Sequence, residues 1–110
     1  MNIIVTEAKP GVRCISLEGR LDAAGMQTGE AEFQAAVALA PNVIVDLSWV
    51  PFISSIGVRM LVAAAQAQSK MGGKMVMVNP ENACRRVLKT TGIDQVVPVF
   101  ERMEEAKGAI

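Results

Sequence analysis

Residues 42–61, NVIVDLSWVPFISSIGVRML, constrain the fold more than any other stretch of the chain. They open with an unbroken apolar run, Val43-Ile44-Val45, that ends at Asp46. Runs of this kind belong to strands covered on both faces, as in a parallel sheet flanked by helices. A turn through Pro51 follows, and then Ser54-Ser55 stand directly before a helical pattern. A buried strand that delivers two hydroxyls to a helix start creates a place where backbone dipoles stabilise an anion, or a phosphate attached on the spot.

The flanking sequence supplies the other elements. Residues 3–6 and 12–17 read as strands, and Lys9-Pro10-Gly11 between them as a turn, giving an antiparallel hairpin at the N-terminus. Asp22 is positioned as an N-cap. Residues 23–40 carry Met26, Phe33, Val37 and Ala40 on one helical face, with Gly25 and Gly29 moving the firm start of that helix later and Pro41 closing it. Residues 43–47 form the buried strand. A second helix is expected over residues 55–71, with Gly57, Met60, Leu61, Ala64, Ala67 and Met71 inward and Arg59, Gln66 and Lys70 outward; Gly72-Gly73 ends it. Residues 74–78 are the next strand. Asn79-Pro80-Glu81 reads as a helix start, Cys84, Val87, Leu88 and Thr91 as one face of that helix, and Gly92 as its end. Residues 95–99 make a last strand, demoted to a sheet edge by Pro98, and residues 100–106 a final short helix.

This alternation predicts one α/β domain: a mixed, mostly parallel sheet of about five strands with about four helices and right-handed crossovers. The loops after the second, third and fourth strands then open on one edge of the sheet. They carry Asp22, Ser54-Ser55 and Asn79, and in open α/β sheets that edge is where ligands and partners dock.

Composition narrows the function. The 110 residues suffice for one domain, and 11 basic residues cancel 11 acidic ones, so the electrostatic footprint of a nucleic-acid binder is missing. The absence of histidine removes the usual general base and the commonest transition-metal ligand, and no metal or cofactor is expected. Cys14 and Cys84 have no CxxC spacing and read as buried thiols that pack as small apolar groups. The first twelve residues lack the pattern of a signal peptide, and the longest apolar runs, 35–40 and 60–65, are too short to span a bilayer. The expectation is a cytoplasmic protein without membrane insertion.

The two serines have separate readings. Ser54 fits the N-cap of the second helix, its side-chain oxygen accepting a free backbone N–H. Ser55 is then the first helical residue, and positions 55, 59, 62 and 66 share a face that Arg59 and Gln66 mark as solvent-facing. A phosphate on Ser55 would add a charge of about −1.5 to −2 at the positive end of the helix, with Arg59 one turn away to pair with it. Ordinary helix capping would equally account for a Ser-Ser pair. Catalysis is disfavoured: there is no GxSxG elbow, no histidine to activate a hydroxyl, and nothing that places Lys70 or Lys74 beside Ser55. Asp22 and Asp46 read as caps or strand-end partners before they read as a catalytic pair. Gly72-Gly73-Lys74 follows a helix and precedes a strand, the reverse of a phosphate-binding loop. Met60, Met71, Met75 and Met77 are expected to fill the core, and Trp49 either covers the core or anchors an interface.

Three segments, Gly19-Arg20-Leu21-Asp22, the block VDLSWVPFISSIGVRML and residues 72–78, together resemble the STAS domain family, specifically the bacterial anti-sigma factor antagonists. The resemblance covers nearly the whole chain. It implies a small α/β domain that captures an anti-sigma factor, itself a serine kinase of the GHKL type, and so frees a sigma factor. Phosphorylation releases the kinase, and a PP2C-type phosphatase restores the antagonist. The family's phosphoacceptor is the serine two residues before the glycine, here Ser55, and the acid of the GxLD-like segment, here Asp22, lies near it. Members often carry aspartate immediately before the phosphoserine; this chain has Ser54, which becomes the second candidate acceptor. The surface expected to meet a partner comprises Asp22, Ser54, Ser55, Ile56, Arg59, Val62 and Asn79, on a monomer or weak dimer. The alternative within the same family is a constitutive interaction subunit, for example the cytoplasmic partner of a lipid-transport ATPase.

Overall fold

Pro10-Gly11 turns the chain back on itself. Gly11 takes φ +81°, as the third residue of a type II turn requires, and joins β1 (Asn2–Lys9) to β2 (Val12–Glu18) as an antiparallel pair. The computed structural model describes all residues, Met1–Ile110. From β2 onward every connection is a crossover. β3 (Asn42–Trp49), β4 (Lys74–Val78) and β5 (Val99–Phe100) follow in parallel, and the sheet order is β1-β2-β3-β4-β5. Strands that advance in one direction with right-handed crossovers put every connecting helix on the same face. Accordingly α1 (Ala23–Ala38), α2 (Ser55–Lys70) and α3 (Asn82–Thr91) all contribute to the main core, and α4 (Met103–Gly108) lies on the opposite face.

The period of two along each strand divides the core in two. Ile15, Leu17, Val43, Val45, Leu47 and Met77 face the three crossover helices and pack with Phe33, Val37, Met60, Leu61 and Leu88. Val12, Ile44, Val76 and Val78 face the other way and pack under Ala106 of α4. This is why the run at 43–45 is apolar without alternation. A six-residue helix is too short to persist alone. α4 is held by Ala106, which is fully buried, and by Lys9 and Lys74, whose ammonium groups donate to the carbonyls of Lys107 (2.7 Å) and Ala109 (2.9 Å).

The predicted α/β class, the hairpin and the first four strands match the structure, and four local expectations are corrected. α1 starts at Ala23 despite its early glycines, because Gly25 lets the helix approach the preceding loop: a Cβ there would overlap the Arg20 carbonyl oxygen. In α2, Ala67 and Met71 are exposed and Gln68 takes the inward position, with its amide donating to the carbonyls of Ala40 (2.8 Å) and Pro41 (3.1 Å). Two carbonyls in the turn after α1 favoured a buried donor over the exposed methionine. α3 begins at Asn82, not at Asn79-Pro80, because Asn79 adopts φ +53° to turn the chain off β4. The last strand shrinks to Val99–Phe100 because residues Ile93–Gln95 form a 3₁₀ turn, and the last helix moves to Met103–Gly108.

Candidate functional site

The chain leaves β2 at Glu18 and β3 at Trp49 side by side, and both exit segments are zipped together before their helices begin. Leu21 N–H donates to the Phe52 carbonyl (2.9 Å), Ser54 N–H donates back to the Leu21 carbonyl (3.0 Å), and Leu21 and Ile53 form a parallel bridge. Both of those side chains are buried, so the loop is pinned to the core from beneath. Gly57 completes the fit. Its Cα faces the same Leu21 carbonyl, and a Cβ there would stand 2.6 Å from that oxygen.

This arrangement decides what each serine can do. Ser54 occupies the N-cap position with extended backbone, but its hydroxyl makes no cap bond. It donates instead to the Leu21 carbonyl at 2.9 Å, which corrects the expected capping role: a carbonyl held beneath Ser54 by the loop zipper recruits the hydroxyl as a donor. The helix therefore starts uncapped, with no acidic side chain in its first turn, and its free N–H groups and positive dipole end are uncompensated. Ser55, the first helical residue, is exposed, and its hydroxyl has no protein partner. Arg59 is exposed one turn further on, Val62 is half-buried, and Gln66 is exposed, so the outward face of α2 is the one its spacing predicts.

Asp22 is the N-cap of α1, accepting from Gly25 N–H at 3.0 Å. Its other oxygen accepts from Arg20 Nε at 3.0 Å, and the Arg20 guanidinium lies over the Phe52 ring, 4.5 Å from its centroid. Asp22 thus links the β2 exit to the β3 exit through a cation–π contact. The backbone hydrogen bond from Gly25, aided by Arg20, holds the Asp22 carboxyl below the ordinary aspartate range. A depressed pKa contributes stability that is complete above the unfolded-state value and is lost as pH falls through the folded-state value. The stability advantage of the wild type over Asp22→Asn, followed by urea titration, is therefore expected to hold at neutral pH and to shrink below about pH 4.

Asn79 lies at the carboxyl end of β4, where its side-chain amide donates to Ser48 Oγ at 2.9 Å. Ser48 in turn donates to Asp46 from both its backbone N–H and its hydroxyl, and Ser16 reaches the second Asp46 oxygen at 3.3 Å. Asp46 is therefore a strand-end hydrogen-bond partner and Asp22 a helix cap. No group of three or more His, Cys, Asp or Glu side chains is placed to hold a metal ion. Both thiols are buried. Burial raises the pKa of Cys14, and burial together with Glu81 pushes that of Cys84 up to about 11.

Sequence reasoning left Trp49 open and did not single out Phe52. The structure leaves Trp49 64 % exposed, Phe52 37 % and Ile56 40 %, so the loop leading to Ser55 carries an apolar surface. The signal was present in the spacing: large apolar residues at 49, 52 and 56 flank the inward Val50 and Ile53. The strand order never reverses, so this edge lacks the topological switch point at which open α/β sheets form ligand crevices. A groove of about 390 Å³, lined by Val5, Val12, Leu39 and Pro41 among others, lies at the opposite ends of the parallel strands. The edge thus presents an exposed, unpartnered hydroxyl together with exposed apolar side chains, the kind of surface that suits contact with another protein.

That architecture, an N-terminal hairpin running into a parallel sheet with α2 launched from the third strand, is the STAS fold, and the chain belongs to the STAS domain family, whose model matches residues 4–106. Among curated proteins it is similar to BtrV of Bordetella bronchiseptica, named as an anti-sigma factor antagonist, with 28 % identity over 100 residues, 90 % of this chain and 86 % of the relative. Among solved structures it superposes on an anti-sigma factor antagonist from Mycobacterium paratuberculosis with a TM-score of 0.88 and 29 % identity, covering 99 % of this chain and 92 % of that one. A STAS domain protein of the same description from Planctomyces limnophilus gives 0.85 and 28 %, covering 97 % and 96 %. No helix of the chain is long and apolar enough to cross a membrane.

Proposed function

We propose that this STAS domain is a phosphorylation-controlled binding switch of the anti-sigma factor antagonist type. Unmodified, it captures an anti-sigma factor serine kinase through the surface around Ser55 and thereby frees a sigma factor. Phosphorylation of Ser55 releases the kinase, and a PP2C-type phosphatase resets the switch; all of these partners act in the cytoplasm. The domain itself is a binding protein and catalyses nothing.

One observation carries this reading: the Ser55 hydroxyl is exposed and unpartnered on the first residue of an uncapped helix, beside exposed Trp49, Phe52 and Ile56. A phosphate there is stabilised by the free N–H groups of the first turn and by Arg59, so the domain stays folded while its docking surface changes sign. Ser54 is the poorer acceptor because its hydroxyl is committed to the Leu21 carbonyl and half-buried.

Incubation with the cognate kinase and ATP, followed by intact-mass measurement, tests the proposal. The expected result is a gain of one phosphate in the wild type and in Ser54→Ala, and none in Ser55→Ala. Stable capture of the kinase with no phosphate gained in any variant would instead favour a constitutive interaction subunit.

A further inference from the structure

We propose that the free edge of β1 is a self-association surface, on which a second copy of the chain pairs its own β1 antiparallel across a two-fold axis and continues one sheet into the other. Sheet edges present unpaired N–H and C=O groups, and proteins blunt them with brevity, proline, lysine, charge or bulges. The far edge of this sheet is blunted: β5 has two residues, follows Pro98 and runs into Glu101. β1 is eight residues long, and its protective features are crowded at one end, where the register shifts between Glu7 and Lys9 and Pro10 follows. Residues 2–6, Asn-Ile-Ile-Val-Thr, contain no charge, proline or glycine and have high strand propensity.

Ile4 and Val5 are consecutive, so they point to opposite faces of the sheet, yet they are 47 % and 43 % exposed. Ile3 packs against the main core from the same face as Val5, but Ile4 and Val5 themselves are left open to solvent on either face.

The edge is also self-complementary. Antiparallel partners related by a two-fold axis must face the same side of the sheet, so paired residue numbers differ by an even number. Pairing about Ile4 sets Ile4 against Ile4, Ile3 against Val5 and Asn2 against Thr6, with apolar meeting apolar and amide meeting hydroxyl. Recentring on Val5 sets Ile3 against the Glu7 carboxylate and Ile4 against Thr6, and recentring on Ile3 leaves only a short overlap that opposes Asn2 to Ile4. One register therefore stands out, and it is the isologous one a closed dimer needs. Strand pairing alone buries less than the roughly 1,600 Å² of a standard interface, so the dimer is weak and concentration-dependent. β2 separates β1 from β3, which feeds the Ser55 loop, so both switch sites stay accessible and this inference stands independently of the proposed function.

Sedimentation equilibrium from micromolar to near-millimolar protein tests it. The wild-type mass should rise with concentration from 11.7 kDa towards twice that value. Ile4→Lys and Ile4→Glu each set like charges opposite one another and should weaken association at least tenfold, with unchanged circular dichroism because position 4 is solvent-exposed. An equimolar mixture of the two should regain dimer through Lys–Glu pairing. A wild type that stays at 11.7 kDa throughout, or a mixture that stays monomeric while the wild type dimerises, overturns the proposal.

Discussion

Ser55→Asp is expected to weaken the proposed capture of an anti-sigma factor kinase about a hundredfold, near 3 kcal/mol, while the melting temperature changes by no more than about 2 °C. The two halves of this expectation have different origins. Inside the domain, the Ser55 hydroxyl has no partner to lose, and an acid at the first position of a helix lies in the favourable field of the dipole, worth roughly 0.3–1 kcal/mol. Across the interface, the same carboxylate must be desolvated beside Trp49, Phe52 and Ile56 without a counter-charge from that surface other than Arg59. Titration calorimetry measures the affinity and a thermal melt the stability. A melting temperature that collapses with the affinity would make Ser55 a structural residue.

Phe33→Ala is expected to remove about 3–5 kcal/mol of stability, most of the margin of a domain whose total is roughly 5–15. Phe33 is fully buried and is the bulkiest of the fully buried side chains, lying where α1 meets the sheet. α1, α2 and the sheet converge there, so the surroundings cannot collapse into the space left by the ring. For a chain this size the melting temperature should fall by about 15 °C. A lower urea midpoint with an unchanged slope would show that stability alone has changed. Kinase affinity of the folded fraction should stay at the wild-type value, which separates this variant from Ser55→Asp.

These two positions are readable from the sequence, for related reasons. Phe33 lies on a face with Met26 and Val37 at helical spacing, and Ser55 follows a strand and precedes a helix. Periodicity and local order are enough to assign such residues to core or surface. Asp22 was legible in the same way, since a short acid before an alanine-rich run is an N-cap by its local chemistry alone. The part of the site that sequence reasoning misassigned is the part made by contacts between distant segments. Ser54 looked like a capping acceptor because nothing local reveals that Leu21, thirty-three residues earlier, presents a carbonyl beneath it. Asn79 looked like a cap until β3 supplied Ser48 as its partner and its backbone turned to positive φ. Gln68 carried no inward signal at all, because its reason for burial is a pair of carbonyls on another element.

The chain alone therefore determined its class, its strand and helix order, its balanced charge and the identity of the presented serine, because hydrophobic period, turn residues and charge count are local properties. Only the tertiary structure decided which hydroxyl is free and which is tied down, which aromatic groups surround it, and which edge of the sheet is left open. Those outcomes depend on which carbonyls, rings and strands are brought alongside from elsewhere in the chain, and that is settled when the sheet assembles.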